Sequence, residues 1–158
     1  MKTLAALLAL ERIQFMASFA ITFGLAETGY FIPIAKLVQK ICNDELQVHV
    51  RTDKEILRTE FKCVNSVSAF IDVQDEIVEI IREIVDSELA WIDFLLGDKD
   101  RVDGIVVFDK KKLKDFVLYA ATDVCSFLNI SIDYPMVTKN PLSYMNKWVI
   151  IDSHQISP

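Results

Sequence analysis

The chain has 158 residues, 52% of them hydrophobic and 25% charged, with four glycines and four prolines. This is the length of one domain, and it is too apolar and too poor in helix breakers for a disordered segment. Seventeen Lys and Arg stand against twenty-three Asp and Glu, a net charge of −6, so no cationic excess is available to displace counterions from a phosphate backbone, and nucleic acid is not an expected partner. The three cysteines, Cys42, Cys63 and Cys125, are odd in number and lack a Cys-x-x-Cys, which excludes a readable disulfide framework or zinc clip and fits a reducing cytoplasm.

The opening Met1–Leu10 looks like the basic and apolar regions of a secretory signal, but Glu11 and Arg12 interrupt it and no Ala-x-Ala cleavage site follows. A membrane-spanning helix would resist that charged pair by a few kcal/mol. The expectation is therefore one long soluble helix from Thr3 to about Phe23, apolar nearly all round and so buried inside a bundle, with no membrane association. Gly24 and Gly29 bracket the predicted break after it. From Ile34 the set Ile34, Leu37, Val38, Ile41 and Val48 recurs at helical spacing, and a second long helix is predicted through to about Phe61, with Pro33 in its first turn.

Lys62 to Asp72 reads as a loop. Val73 to Leu96 carries Ile77, Ile80, Ile81, Ile84, Val85, Leu89 and Leu95 on one stripe, with Gly97 as its C-cap. A polar connection around Gly104 leads to a fourth helix, Lys110 to about Leu128, with Leu113, Phe116, Val117, Tyr119, Ala120 and Val124 inward. The prolines Pro135 and Pro141 then predict turns and a short helix, followed by a tail from Asp152. The fold class is all-α, antiparallel helices joined by short connections, with no repeat of solenoid period.

The residues that could carry chemistry are carboxylates and one histidine. Glu11 lies in the middle of the most apolar helix, where an ionised carboxylate requires a cation or metal partner. Arg12 points about 100° away round that helix and is an imperfect partner. Glu45 and His49, four apart, fall on one helix face and can ligate one ion. Taken singly, each has an ordinary alternative: a solvated Glu–His pair, and a half-exposed Glu beside its Arg. Together they resemble the inventory of carboxylate-bridged dimetal bundles, in which two helices give a lone Glu and two give a Glu/His pair. Ser/His/Asp catalysis could draw only on His49 and His154, without a nucleophile elbow. Cys42, Phe15, Phe19, Trp91 and Trp148 are expected in the core.

Ala9-Leu-Glu-Arg-Ile-Gln-Phe-Met-Ala-Ser-Phe19, followed by Asn43-Asp-Glu45, resembles the two helices of the radical-generating small (beta) subunit of class I ribonucleotide reductase that carry its second metal site. Glu88-Leu-Ala-Trp-Ile-Asp-Phe-Leu95 is similar to a later core helix of that family. Lys139-Asn-Pro-Leu-Ser-Tyr-Met-Asn-Lys-Trp148 is similar to its Asn-Pro-(Ile/Leu)-Pro-Trp segment, and Asp152-Ser-His-Gln-Ile-Ser-Pro158 to its exit into the C-terminal tail.

The resemblance implies a ferritin-like bundle, here about half of it plus the following C-terminal helices. It divides the single domain into a metal-ligand helix pair, residues 1–62, and accessory helices with the C-terminal segment, residues 63–158. By position it implies Glu11, Glu45 and His49 as metal ligands, Asp44 on the proton-coupled radical path, and Phe15, Phe19 and Ile41 as the apolar pocket near the radical. The implied cofactor is a di-iron centre, with manganese or a mixed manganese/iron pair as alternatives. The implied partners are the large (alpha) subunit and, because the other ligand helix and the radical tyrosine fall upstream of Met1, a separate N-terminal half. A homo-oligomer of the completed subunit in the cytoplasm is expected.

The family places its histidine three residues after the glutamate, where this chain has Val48, so either the helix has a local bulge or His49 is not the aligned ligand; both spacings lie near the face of Glu45. The sequence supports two functions: part of a reductase small subunit, inactive alone, or a non-catalytic helical remnant or interaction module that has lost metal and radical. In a third arrangement, a variant of the first, two copies pair and build a symmetric site.

Overall fold

The structure, a computed structural model, describes residues 1–149; the tail from Asp152, with His154, lies outside them. Every regular element among the described residues is helical: α1 Lys2–Ile13, α2 Met16–Glu27, α3 Ile32–Asn43, a π-helical segment Asp44–His49, α4 Val50–Glu60, α5 Val64–Ile71, α6 Gln74–Leu96, α7 Lys110–Leu128 and α8 Met145–Val149. The all-α expectation holds.

Helix α1 is the centre of the assembly and packs on α4, α6 and α7, while α2 continues the same layer against α3, α6 and α7. The period of the sequence explains the contacts. Ala5, Leu8, Ala9 and Ile13 of α1 meet Ile77, Ile81, Val85 and Ile92 of α6 and Leu113, Val117, Ala120 and Val124 of α7, all of them buried in one core. Small residues at Ala5, Ala9, Ala17 and Ala20 allow close approach of the neighbouring helices. At Gly24 the approach is closest, because a β-carbon there would overlap the Phe108 ring. By length and hydropathy Lys2–Glu27 could cross a membrane, but Ala5, Leu8, Ala9, Ile13, Met16, Ala17, Phe19, Ala20 and Phe23 of this stretch lie in the core.

Three boundaries differ from the sequence reading. The first helix is not continuous: it breaks at Gln14 and Phe15, where Phe15 takes a left-handed φ of 66°. Residues 64–71, expected as loop, form α5, because Phe70 docks edge-on against Phe61 and gives the short segment an apolar anchor. Gly24 lies inside α2, and the turn comes at Thr28–Phe31 with Gly29 at φ 93°. The long α6 and α7, the Gly97 cap, the Lys110 start and the short terminal helix all fall where the pattern puts them. The expected second long helix is also present, as α3, the π segment and α4 run end to end.

The C-terminal end of the described chain is tied to this frame. The Trp148 ring stacks on Phe23 at 4.8 Å and its Nε1–H donates to Glu27 at 2.9 Å, while Lys147 donates to the same carboxylate at 2.8 Å. Lys147 above all, with Trp148, holds the Glu27 carboxyl below its ordinary range. The Tyr144 hydroxyl donates to the Ala20 carbonyl at 2.7 Å.

Candidate metal centre

Glu11 sits in the last turn of α1, and Glu45 and His49 sit at the second and last positions of the π segment. A π-helix adds a residue per turn and rotates the succeeding residues by about 100° relative to an α-helix. That bulge is how a histidine four positions beyond Glu45 comes to face Glu11. His49 Nδ1 lies 3.1 Å from Glu45 Oε2 and 3.3 Å from Glu11 Oε2. One donor atom from each of the three residues falls within 4.8 Å of the others.

The electrostatics reflect this crowding. The neighbouring Glu45 carboxyl is the largest cause holding the Glu11 acid above its ordinary range; partial burial adds to it and His49 opposes it. The two carboxylates raise the His49 imidazole in turn, Glu11 first. The cluster brings two carboxyl groups together beside one imidazole, and a cation placed among them would relieve their repulsion. Two carboxylate oxygens and an imidazole nitrogen are a donor set suited to iron or manganese. The residues present fit such an ion as part of its coordination. Buried Asn43 Oδ1, at the head of the π segment, has no hydrogen-bond partner among the described residues.

Of the other sequence candidates, Phe15, Phe19 and Ile41 do come together. With Ser18, Thr22, Val38 and Glu45 they line an open groove of about 360 Å³ beside the cluster. Phe19 is buried, but Phe15 and Ile41 are 57% and 54% exposed, so Phe15 is not a core residue of this chain. The left-handed φ at Phe15 turns its side chain out of the core. Trp91, also expected inside, is 41% exposed, whereas Trp148 and Cys42 are buried. Burial pushes the Cys42 thiol up to about 12 and leaves it inert. Asp44 is exposed at the start of the π segment and is not a member of the cluster.

Two charged features escaped the sequence reading. Arg12 turns away from Glu11 into the core, where its Nε–H donates to Asp123 at 2.9 Å and its guanidinium lies 5.6 Å from the Tyr119 ring centroid. Lys54 donates to both oxygens of Asp123 at 3.0 Å, so that carboxylate ties α1 and α4 to α7. Burial alone would raise Asp123, but Arg12 and Lys54 outweigh it and hold it below its ordinary range. Glu88 is the second feature, 5% exposed and in line with the apolar stripe Ile77, Ile81, Val85, Ile92 and Leu96. A carboxylate in that line was the signal available.

Two carboxylates and an imidazole converging from two helices of a bundle is an arrangement that carboxylate–histidine metal proteins use. Residues 1–141 match the family described as ribonucleotide reductase, small chain, and the chain belongs to that family. It is similar to ribonucleoside-diphosphate reductase 1 subunit beta of Salmonella typhimurium, at 25% identity over 154 residues. It is also similar to the subunit beta of Haemophilus influenzae, at 27% over 162 residues, and to that of Buchnera aphidicola subsp. Baizongia pistaciae, at 24% over 154 residues. In each case 95% of this chain is aligned, and the chain spans 39% of the relative's length.

Proposed function

We propose that this chain supplies one half of the dimetal centre of a ribonucleotide reductase small subunit. Glu11, Glu45 and His49 hold one side of the metal pair, and a complementary helical segment contributes the rest. The convergence of the three donor atoms within 4.8 Å carries the assignment. The bundle logic of a lone Glu plus a Glu/His pair requires the same set again from two further helices, which suits a chain spanning 39% of its relatives.

In this assignment Glu11 and Glu45 bind as carboxylates and His49 through a neutral ring nitrogen, so metal uptake is favoured as pH rises. The centre, once loaded with iron, or with manganese or a mixed pair, supplies the oxidising equivalents for a radical that a large subunit uses to reduce ribonucleotides. Phe15, Phe19 and Ile41 line the groove beside the ligands and keep water from it once the complementary segment covers them. Asp44, exposed next to Glu45, is assigned to proton transfer along the radical path. The proposed partners are that N-terminal segment, the large subunit and a second copy of the completed subunit. The proposed setting is a reducing cytoplasm, in keeping with three unpaired cysteines.

The test is metal content after anaerobic loading with ferrous iron and exposure to air, for the chain alone and mixed with an N-terminal complementary polypeptide. About two irons per heterodimer with a radical signal is the expected result. About two per homodimer of the chain alone would point instead to the symmetric pairing of two copies. No iron in either sample would leave a helical interaction module and overturn the assignment.

A further inference from the structure

A buried carboxylate next to a strained backbone lies outside the metal cluster. Phe15 is the N-cap of α2 and takes φ 66°, ψ −2°, a conformation a bulky side chain rarely adopts, and it offers no side-chain cap to the helix it begins. The first amides of a helix lack intrahelical acceptors and carry the positive end of its dipole. Glu88 of α6 meets that need from 71 positions away: its Oε2 accepts the Ala17 N–H at 3.2 Å. The Phe15 N–H acts on the same carboxylate and, like that of Ala17, favours its charged form against the burial that raises it. One turn further along α6, the Trp91 Nε1–H donates to Ser18 Oγ at 2.9 Å, so the first turn of α2 is tied twice to one helix.

We propose that Glu88 is a positioning residue: by capping α2 at Ala17 it holds the left-handed break at Phe15, and the break sets the last turn of α1 so that Glu11 meets Glu45 and His49. The consequence for metal uptake rests on the proposed metal assignment, whereas the placement of Glu11 does not. A continuous helix through residues 14 and 15 would carry Phe15 one turn beyond Glu11 on the same face. The break instead turns Phe15 out to line the groove beside Glu45. Continuation is opposed by the buried acceptor, which would then lack its donors.

The test uses the full chain and the variants Glu88→Ala, Glu88→Gln and Glu88→Ala with Phe15→Gly. Metal-free readouts are amide hydrogen exchange at Phe15 and Ala17 against Val117, Ala120 and Val124 of α7, and the nuclear Overhauser contact between the Glu11 side chain and the His49 ring. Mn(II) affinity is the third readout. Glu88→Ala is expected to raise exchange at Phe15 and Ala17 by about tenfold over the α7 amides. It is also expected to erase the Glu11–His49 contact and weaken Mn(II) binding by about tenfold. Glu88→Gln keeps an acceptor and restores all three; Phe15→Gly, which adopts positive φ freely, restores the contact in the Ala background. Faster exchange spread evenly into α7, an intact Glu11–His49 contact in Glu88→Ala, or no rescue by Gln would overturn the proposal. If the unmodified chain takes up no Mn(II) while the exchange and contact changes occur, the metal assignment falls and the positioning role stands.

Discussion

Glu11 and Arg12 are neighbours on one helix and live in opposite surroundings. Glu11 faces outward beside Glu45 and His49, on a side where Ile34, Leu37, Ile41 and Val48 are each more than half exposed. Arg12 faces inward, 9% exposed, bound to Asp123 and stacked over Tyr119. The rotation of about 100° per helical residue is the whole difference between them. The inward side is complete, with charges paired across α1, α4 and α7 and apolar faces filled. Among the described residues the outward side gathers the candidate ligands and apolar surface without covering them, which suits the proposed half-site.

The contrast can be broken most severely from the inward side. Leu8 is fully buried between α1 and its neighbours, and Leu8→Ala is expected to cost about 3 kcal/mol of stability, read by urea denaturation. Glu11→Ala should do the reverse. Stability should change by less than about 0.5 kcal/mol, because Glu11 lies outside the buried core. Metal uptake, measured by calorimetry with Mn(II), should drop by about a hundredfold. Loss of folding in Glu11→Ala would erase the distinction between the two sides.

The ion pairs sharpen it further. Arg12→Leu leaves Asp123 with Lys54 alone and is expected to destabilise by about 2 kcal/mol while metal uptake is retained. The Asp123 carboxyl is held below its unfolded value, so its contribution is fully present above the ordinary carboxylate range and is lost as pH falls through the lowered native value. Acid titration of stability should therefore lose part of its steepness in Asp123→Asn, and an unchanged acid limb would show that the pair carries no linkage. The smallest effect is expected at Leu37, 64% exposed on α3. There Leu37→Ser should leave unfolding within about 0.5 kcal/mol of the parent and reduce self-association seen by light scattering.

Much of the fold could be read in the apolar period. The stripes of Val73–Leu96 and Lys110–Leu128 gave α6 and α7 nearly to the residue, since long amphipathic helices carry their packing face in their own spacing. The same reasoning failed at Phe15. Nothing local breaks Glu11-Arg-Ile-Gln-Phe-Met-Ala; the break depends on an acceptor in α6 that sequence spacing does not connect to it. It failed again at Val64–Ile71, whose serines and asparagine favour turns and whose helix depends on Phe70 meeting Phe61.

The candidate ligands were legible because charged residues in an apolar helix, and a Glu with a His one turn on, are unusual enough to stand out. Their convergence was not. The Glu/His spacing offered a bulge, which the π segment Asp44–His49 supplies, but convergence also needs the packing of α1 on that segment, a contact between distant parts of the chain. Period and residue type are enough to give the helical class, the long helices and the identity of the possible ligands. Tertiary structure alone decided which side of α1 is closed, where the backbone bends and which carboxylates meet, because burial and hydrogen bonding across helices set those.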